Sequence, residues 1–191
     1  MTVEPDVAFG RGLDVFGDVV DRVDDAAWSA PSPCEGWTAL DVLGHLGSAI
    51  RFGVAAMRGE EFPWPEVDRP ADLVDAEPKA YWALIGGQAR ATLVGVDLDA
   101  EVDTPMGRRT VGDRLAFPAV DLFVHAWDIG TSTGLPVEVP EDIIDFAHAF
   151  IDPMPTEMVR GGGRAFGPEV EPPADATPTE SFIAWTGRTP R

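Results

Sequence analysis

Cysteine is almost absent from the sequence, since Cys34 is the only one among 191 residues. A chain with a single cysteine cannot form an internal disulfide, so packing alone must hold the fold. Cys34 lies in the segment SPCEGW, ahead of a helix start, and we expect a buried structural thiol there. A reactive thiol would require a lowered pKa, which a sequence does not reveal.

Long apolar runs and basic residues are also scarce. No segment approaches the roughly 20 apolar residues of a membrane-spanning helix. The N-terminal segment MTVEPDVAFGRGLD has neither the basic start nor the apolar core of a secretory signal. The chain has 14 Lys and Arg against 33 Asp and Glu, a net charge of −19, which repels a nucleic-acid backbone. We therefore expect a cytoplasmic protein with neither a membrane nor a nucleic acid as partner.

Helical periodicity is what the sequence does contain, because apolar residues recur at spacings of three and four. Four long helices are predicted over about 5–28, 38–59, 77–96 and 110–133, and a shorter one over about 140–151. Thr38 with Asp41, and Thr110 with Asp113, have the spacing of a capping box. Pro118, inside the fourth helix, predicts either a kink or a helix whose main part starts at this proline.

The connecting segments complete the predicted fold. Residues 60–75 form a predicted loop long enough to be functional, and its Phe62 and Trp64 indicate that part of it packs against the protein. Pro105-Met106-Gly107 predicts a turn. The segment SFIAWTG predicts a short helix near the C-terminus.

Few strand signals are present, so the fold class is predicted to be all-α. We expect a single domain over 1–191. An antiparallel four-helix bundle would occupy about 5–152, and an extended tail with the short helix would occupy about 153–191.

Polar residues interrupt the apolar face of the fourth helix. Asp121 and His125 are four residues apart in DLFVHAWDIG and therefore point to the same side. A buried carboxylate is costly unless it is paired or bound to a metal. His45, in DVLGHLGSAI, would complete a set of three ligands and leave a fourth position open, as in catalytic zinc sites.

The sequence also allows other interpretations of these residues. A core histidine is more often hydrogen-bonded than metal-bound, and His148 is a rival third ligand that we expect to be partly exposed. Asp128 either accepts a hydrogen bond from a ligand histidine or lies on the surface. A purely structural helical protein would instead pair Asp121 with Arg51 or Arg114.

The segments SPCEGWTALDVLGHL and DLFVHAWDIGTSTG together resemble the DinB/YfiT-like superfamily of metalloenzymes. They resemble most its actinobacterial branch, which is related to the metal-binding domain of mycothiol-dependent maleylpyruvate isomerase. The ending RAFGPEVEPPADATPTESFIAWTGRTP also resembles that of a subfamily there. The resemblance extends from about Pro31 to the C-terminus. It implies a DinB-like bundle with a divalent metal at one end of its core, held by His45, Asp121 and His125.

The chain departs from this family in two respects. The isomerase has a glutamate where this chain has Asp121, and many DinB-like proteins have a histidine there. The isomerase also has a C-terminal domain after its bundle, whereas this chain ends soon after its own, so the isomerase activity itself is not carried over. Zinc is the expected metal, with nickel or iron as alternatives.

The resemblance favours a metal-dependent thiol S-transferase or isomerase that uses a low-molecular-weight thiol, such as mycothiol, on a small-molecule substrate. The metal would bind the thiol or a water and lower its pKa. No further catalytic residue is evident. The alternatives are a non-catalytic metal- or small-molecule-binding module and a structural protein that acts through a partner. Related bundles often dimerise, so a homodimer is an alternative to a monomer here.

Overall fold

The structure is a computed structural model that describes residues 3–104, 107–161 and 165–190. The predicted turn at Pro105-Met106-Gly107 lies outside the described residues except for its glycine. Gly107 has a φ of 93°, which is the left-handed region that glycine adopts without strain.

The described residues form seven α-helices and one β-hairpin. In chain order the elements are α1 (Pro5–Arg22), α2 (Ala39–Arg58), α3 (Pro78–Leu93), β1 (Glu101–Thr104), β2 (Gly107–Thr110), α4 (Val111–Thr133), α5 (Glu141–Ile151), α6 (Thr156–Val159) and α7 (Pro178–Trp185). Strands β1 and β2 are antiparallel, with Glu101 opposite Thr110. Helices make up most of the structure, and the one hairpin lies in a segment for which no helix is predicted. The predicted all-α class is therefore confirmed.

Helices α1 to α4 form the four-helix bundle, in which α1 and α2 each pack against both α3 and α4. Large apolar side chains fill the core, among them the fully buried Phe9, Phe16, Leu43, Tyr81 and Phe123. Burying each of these side chains contributes about 1.5–3 kcal/mol relative to exposure, so the core is the main source of stability.

The first and third helices are shorter than predicted. The apolar period that predicted a helix over 5–28 covers α1 and then a separate 3₁₀ segment, Asp25–Ser29, because the backbone at Val23 is extended. Helix α3 ends at Leu93, shortly before Gly95, whose φ is 76°. In both cases the apolar spacing continues past the point where the backbone leaves the helix.

Helix α4 begins at a capping box, in which the Thr110 side chain accepts a hydrogen bond from the Asp113 backbone N–H. The helix continues through Pro118 to Thr133, so the alternative start at Pro118 is wrong. Pro118 is buried, and its missing N–H costs one helical hydrogen bond.

The chain divides into two compact units, Glu4–Val137 and a second unit in which Val3 groups with the residues from Glu138 onward. In the second unit α5 packs against α7, and the Val139 backbone N–H donates to Thr179 Oγ1 over 2.9 Å. The short helix expected at SFIAWTG is α7, whereas α6 was not expected. A single domain with a bundle over 5–152 stays a prediction. By compactness α5 groups with the C-terminal segment.

No helix in the described part of the chain combines the length and apolar character that crossing a membrane requires.

Candidate metal centre

The start of α2 is fixed by the buried Asp41. Its Oδ2 accepts hydrogen bonds from Thr38 N at 2.9 Å and Thr38 Oγ1 at 2.7 Å, and its Oδ1 accepts one from Ala71 N at 3.1 Å. Arg69 pairs with the same carboxylate. Burial alone raises the pKa of Asp41, but these hydrogen bonds outweigh it and lower the pKa to about 2. Asp41 therefore joins the 60–75 loop to the helix that carries His45.

A close backbone contact holds the same loop against α2. A β-carbon at Gly44 would overlap the carbonyl oxygen of Pro70. Only glycine allows the 3₁₀ segment Pro70–Leu73 to lie this near the helix. The next residue, His45, therefore lies on a helix that is held against the loop both by the Asp41 hydrogen bonds and by this backbone contact.

The structure brings the three predicted ligands together. The rings of His45 on α2 and His125 on α4 have centroids 5.1 Å apart, and the ligand atoms of His45, Asp121 and His125 lie within 4.8 Å of one another. Small side-chain rotations would close this spacing onto a metal with bonds of about 2.1 Å. Two imidazoles and a carboxylate are donors that suit zinc and similar divalent metals.

Asp128 stands behind His125 and orients its ring. The distance from Asp128 Oδ2 to His125 Nδ1 is 2.8 Å, and both residues are buried. The surface alternative for Asp128 is therefore wrong. A hydrogen on Nδ1 that bonds to this carboxylate leaves Nε2 as the ring atom available for a metal, the arrangement that supports many zinc-bound histidines.

The electrostatics of the site favour a cation. Burial lowers the pKa of His125, but hydrogen bonds with Asp128 and Cys34 and the charges of Asp128 and Asp121 raise it well above its usual range. The negative potential that retains a proton on the ring also attracts a divalent metal. The donor set and the potential therefore both fit a bound metal.

Cys34 contributes to this site in a way that the sequence did not reveal. It is half-buried rather than a buried structural thiol, and its Sγ lies 3.4 Å from Asp128 Oδ2. Ligand atoms of Cys34, His125 and Asp128 also lie within 4.8 Å of one another, so a second group of three donors shares His125. Since 94 residues separate Cys34 from Asp128, no local sequence pattern connects them.

The rival residues are engaged elsewhere. His148 pairs with Asp152 over 3.2 Å in the second compact unit, its side chain is 36% exposed, and neither donor group includes it. Arg51 Nη1 lies 3.5 Å from Tyr81 Oη, and Arg114 lies over the ring of Phe52. Neither arginine forms an ion pair with Asp121 in the described structure.

Four aromatic side chains cluster on one side of His45, and we call them the aromatic wall: Trp37, Phe52, Phe62 and Trp64. The Trp37 ring lies 5.1 Å from the His45 ring, and Trp64 stacks near it at 6.4 Å. Trp64 also stacks on Phe52 at 6.0 Å and meets Phe62 edge-on at 5.5 Å. The expectation that Phe62 and Trp64 pack against the protein is confirmed, although Trp64 remains 51% exposed.

Residues 9–130 match the family described as the mycothiol maleylpyruvate isomerase N-terminal domain. Uncharacterized proteins from two strains of Mycobacterium tuberculosis are 28% identical over 194 residues, covering 99% of this chain and 100% of each relative.

Among solved structures, the crystal structure of the mycothiol-dependent maleylpyruvate isomerase has a TM-score of 0.57 at 19% identity. A histidine-to-alanine variant of that enzyme has a TM-score of 0.53 at the same identity. Each alignment covers 74% of this chain and 65% of the isomerase chain, so this chain matches less than two thirds of the enzyme's length. The family match covers more than half of the chain and includes α2 and most of α4. This chain therefore belongs to the mycothiol maleylpyruvate isomerase N-terminal domain family.

Proposed function

We propose that this protein binds a divalent metal through His45, Asp121 and His125 and is an enzyme that uses a low-molecular-weight thiol, of the thiol S-transferase or isomerase type. The observation that supports this most directly is the convergence of three ligand atoms within 4.8 Å from two different helices. Membership of a family described by a mycothiol-dependent isomerase supports the thiol.

Zinc is the metal that we propose, with nickel or iron as alternatives, because two imidazoles and one carboxylate suit all three. A bound metal of this kind supplies Lewis acidity and lowers the pKa of a thiol. Asp121 is shorter than glutamate by one methylene, so it holds its carboxylate nearer to the α4 backbone than a glutamate would.

The protein's own residues perform the other tasks. Asp128 orients the His125 ring through their 2.8 Å contact. The aromatic wall limits the access of water to His45. Mycothiol is the thiol cosubstrate that we propose, with a small molecule as the second substrate.

A second candidate function is a metal-binding protein without turnover, with the metal at Cys34, His125 and Asp128 instead. The observation in its favour is that these three also offer ligand atoms within 4.8 Å. Cysteine is a strong zinc ligand and predominates in structural zinc sites.

Metal stoichiometry distinguishes the two candidates. We expect one zinc per chain, measured by mass spectrometry of the dialysed protein. His125→Ala should lose the zinc whichever of the two sites holds it. Asp121→Asn should weaken zinc binding only at the first site, and Cys34→Ser only at the second. His148→Ala is the matched control, because this histidine lies outside both groups.

Turnover tests the enzymatic part of the proposal. Zinc-loaded protein with mycothiol and a panel of small electrophiles should convert an electrophile faster than the His45→Ala variant does, with the thiol consumed in an S-transfer and regenerated in an isomerisation. Equal rates for the two proteins would contradict an enzymatic role while leaving metal binding in place.

A further inference from the structure

Half-exposed side chains mark a seam between α2 and α4, defined here as His45 and Phe52 on α2 with Arg114, Phe117 and Asp121 on α4. The two α2 residues are seven apart, and those on α4 are three and four apart, so each set lies on one helix face. His45 lies beside His125, and Phe52 lies beside Arg114. The two helices therefore run antiparallel along a partly open line from the metal ligands to Arg114.

Arg114 has no acidic partner among the described residues, although the chain is strongly acidic. In the described residues it has neither an ion pair nor a hydrogen bond, and its guanidinium lies 5.0 Å from the centroid of the Phe52 ring. Some arginines do pair with acids, as Arg90 does with Asp14, whereas others such as Arg51 and Arg58 hydrogen-bond to neutral groups. A cation–π contact with the aromatic ring holds the guanidinium in place, and its N–H groups remain able to bind an anion.

The aromatic wall covers this same seam. Trp64 is nearly parallel to both Phe52 and His45, with interplanar angles of 24° and 18°. Half-exposed aromatic rings in this arrangement favour a flat, conjugated ligand, because offset stacking buries both of its faces. Arg114 and Asp121 are seven positions apart on α4, a rise of roughly 10 Å, which accommodates a body of two fused rings.

We propose that the seam is the substrate-binding cleft and that it selects an aromatic carboxylate. Arg114 binds the carboxylate, Phe52 and Trp64 stack on the rings, and the opposite end of the molecule faces His45 and Asp121. Arg114 is then a specificity-determining residue. This inference rests on the proposed function, since it gives the substrate class of the same site.

Calorimetric titration of the zinc-loaded protein tests the cleft with three probes. These are 2-naphthoate, its neutral amide 2-naphthamide, and the aliphatic octanoate. We expect 2-naphthoate to bind at least about tenfold more tightly than either of the others, because only it offers both charge and stacking.

Variants identify the residues responsible. Arg114→Gln should weaken 2-naphthoate at least about tenfold and leave 2-naphthamide unchanged. Arg114→Lys should give an intermediate loss, because lysine keeps the charge without the planar fork. The control is Arg109→Gln on the exposed strand β2, which removes the same charge. Trp64→Ala should weaken 2-naphthoate, and Trp64→Phe should restore most of its affinity.

The outcomes separate this inference from the proposed function. If Arg114→Gln leaves the affinity for 2-naphthoate unchanged, as expected if the carboxylate bound the metal instead, the proposed cleft is overturned. Absence of 2-naphthoate binding to the zinc-loaded protein overturns the cleft as well. Binding that depends on Arg114 in a protein that fails to retain zinc supports the cleft and overturns the metal-dependent function.

Discussion

Asp128 and His125 lie one turn apart on α4, with Asp128 Oδ2 2.8 Å from His125 Nδ1, and both are buried. A carboxylate with no exposed surface is costly unless it has a charged or hydrogen-bonded partner, and His125 is that partner. The contact fixes the ring orientation and directs Nε2 away from Asp128. It thereby relates an otherwise unexplained buried acid to the proposed metal ligand.

Asp128→Asn should weaken zinc binding by about 10- to 100-fold, the usual cost of losing a carboxylate behind a zinc-bound histidine. Asparagine keeps the shape but removes the charge that makes the ring a stronger ligand. Competition with a chromophoric chelator measures the affinity. Asp145→Asn, which removes one exposed carboxylate on α5, is the control and should leave the affinity unchanged. Equal affinities for the two variants would remove Asp128 from the site.

Asp121 should act through its charge. Asp121→Glu introduces the glutamate that the resemblance implies for the isomerase, and this variant should retain zinc. Asp121→Asn has nearly the same size as aspartate but is neutral, and we expect its zinc affinity to fall at least about tenfold, because zinc binds the carboxylate form. The same chelator competition applies. Full affinity in the asparagine variant would show that Asp121 is not a ligand.

Asp41 should make stability depend on acid pH. Its pKa is about 2 in the folded protein against a usual 3.8, so its contribution is present above about pH 4 and is lost as the pH falls toward 2. After allowance for screening around the exposed partner Arg69, this is about 1–2 kcal/mol of the free energy of unfolding. Urea unfolding at several pH values should show Asp41→Asn less stable than the native chain at pH 7, with the difference shrinking below pH 4.

Asp14 offers the control for that experiment, because it forms an exposed ion pair with Arg90. Asp14→Asn should change the free energy of unfolding by less than about 1 kcal/mol at any pH. A pH profile for Asp41→Asn that matches the Asp14→Asn profile would contradict a special role for Asp41.

Gly44→Ala should destabilise the protein by about 1–3 kcal/mol, because the new methyl group would overlap the Pro70 carbonyl and push the loop away from α2. Gly87→Ala is the matched control, since nothing lies within 4 Å of a β-carbon there. Alanine in that helical position should stabilise by up to about 1 kcal/mol. Thermal unfolding compares the two variants, and equal melting temperatures would argue against the close contact.

The bundle and half of the site follow from local sequence patterns. Helical spacing predicts α1 to α4, and the four-residue interval between Asp121 and His125 places both on one face. The ends of helices are harder to predict, because the apolar spacing continues through the extended backbone at Val23. Such patterns do not predict contacts between residues that are far apart in the sequence. Cys34 meets Asp128 only because of how the segment before α2 lies against α4.

Anomalous X-ray scattering at the zinc edge, on crystals of zinc-loaded protein, tests the central claim most directly. We predict one strong peak within about 2.2 Å of ligand atoms from His45, Asp121 and His125. A peak coordinated by Cys34 and Asp128 instead, or the absence of any peak near His125, would contradict the proposed metal site.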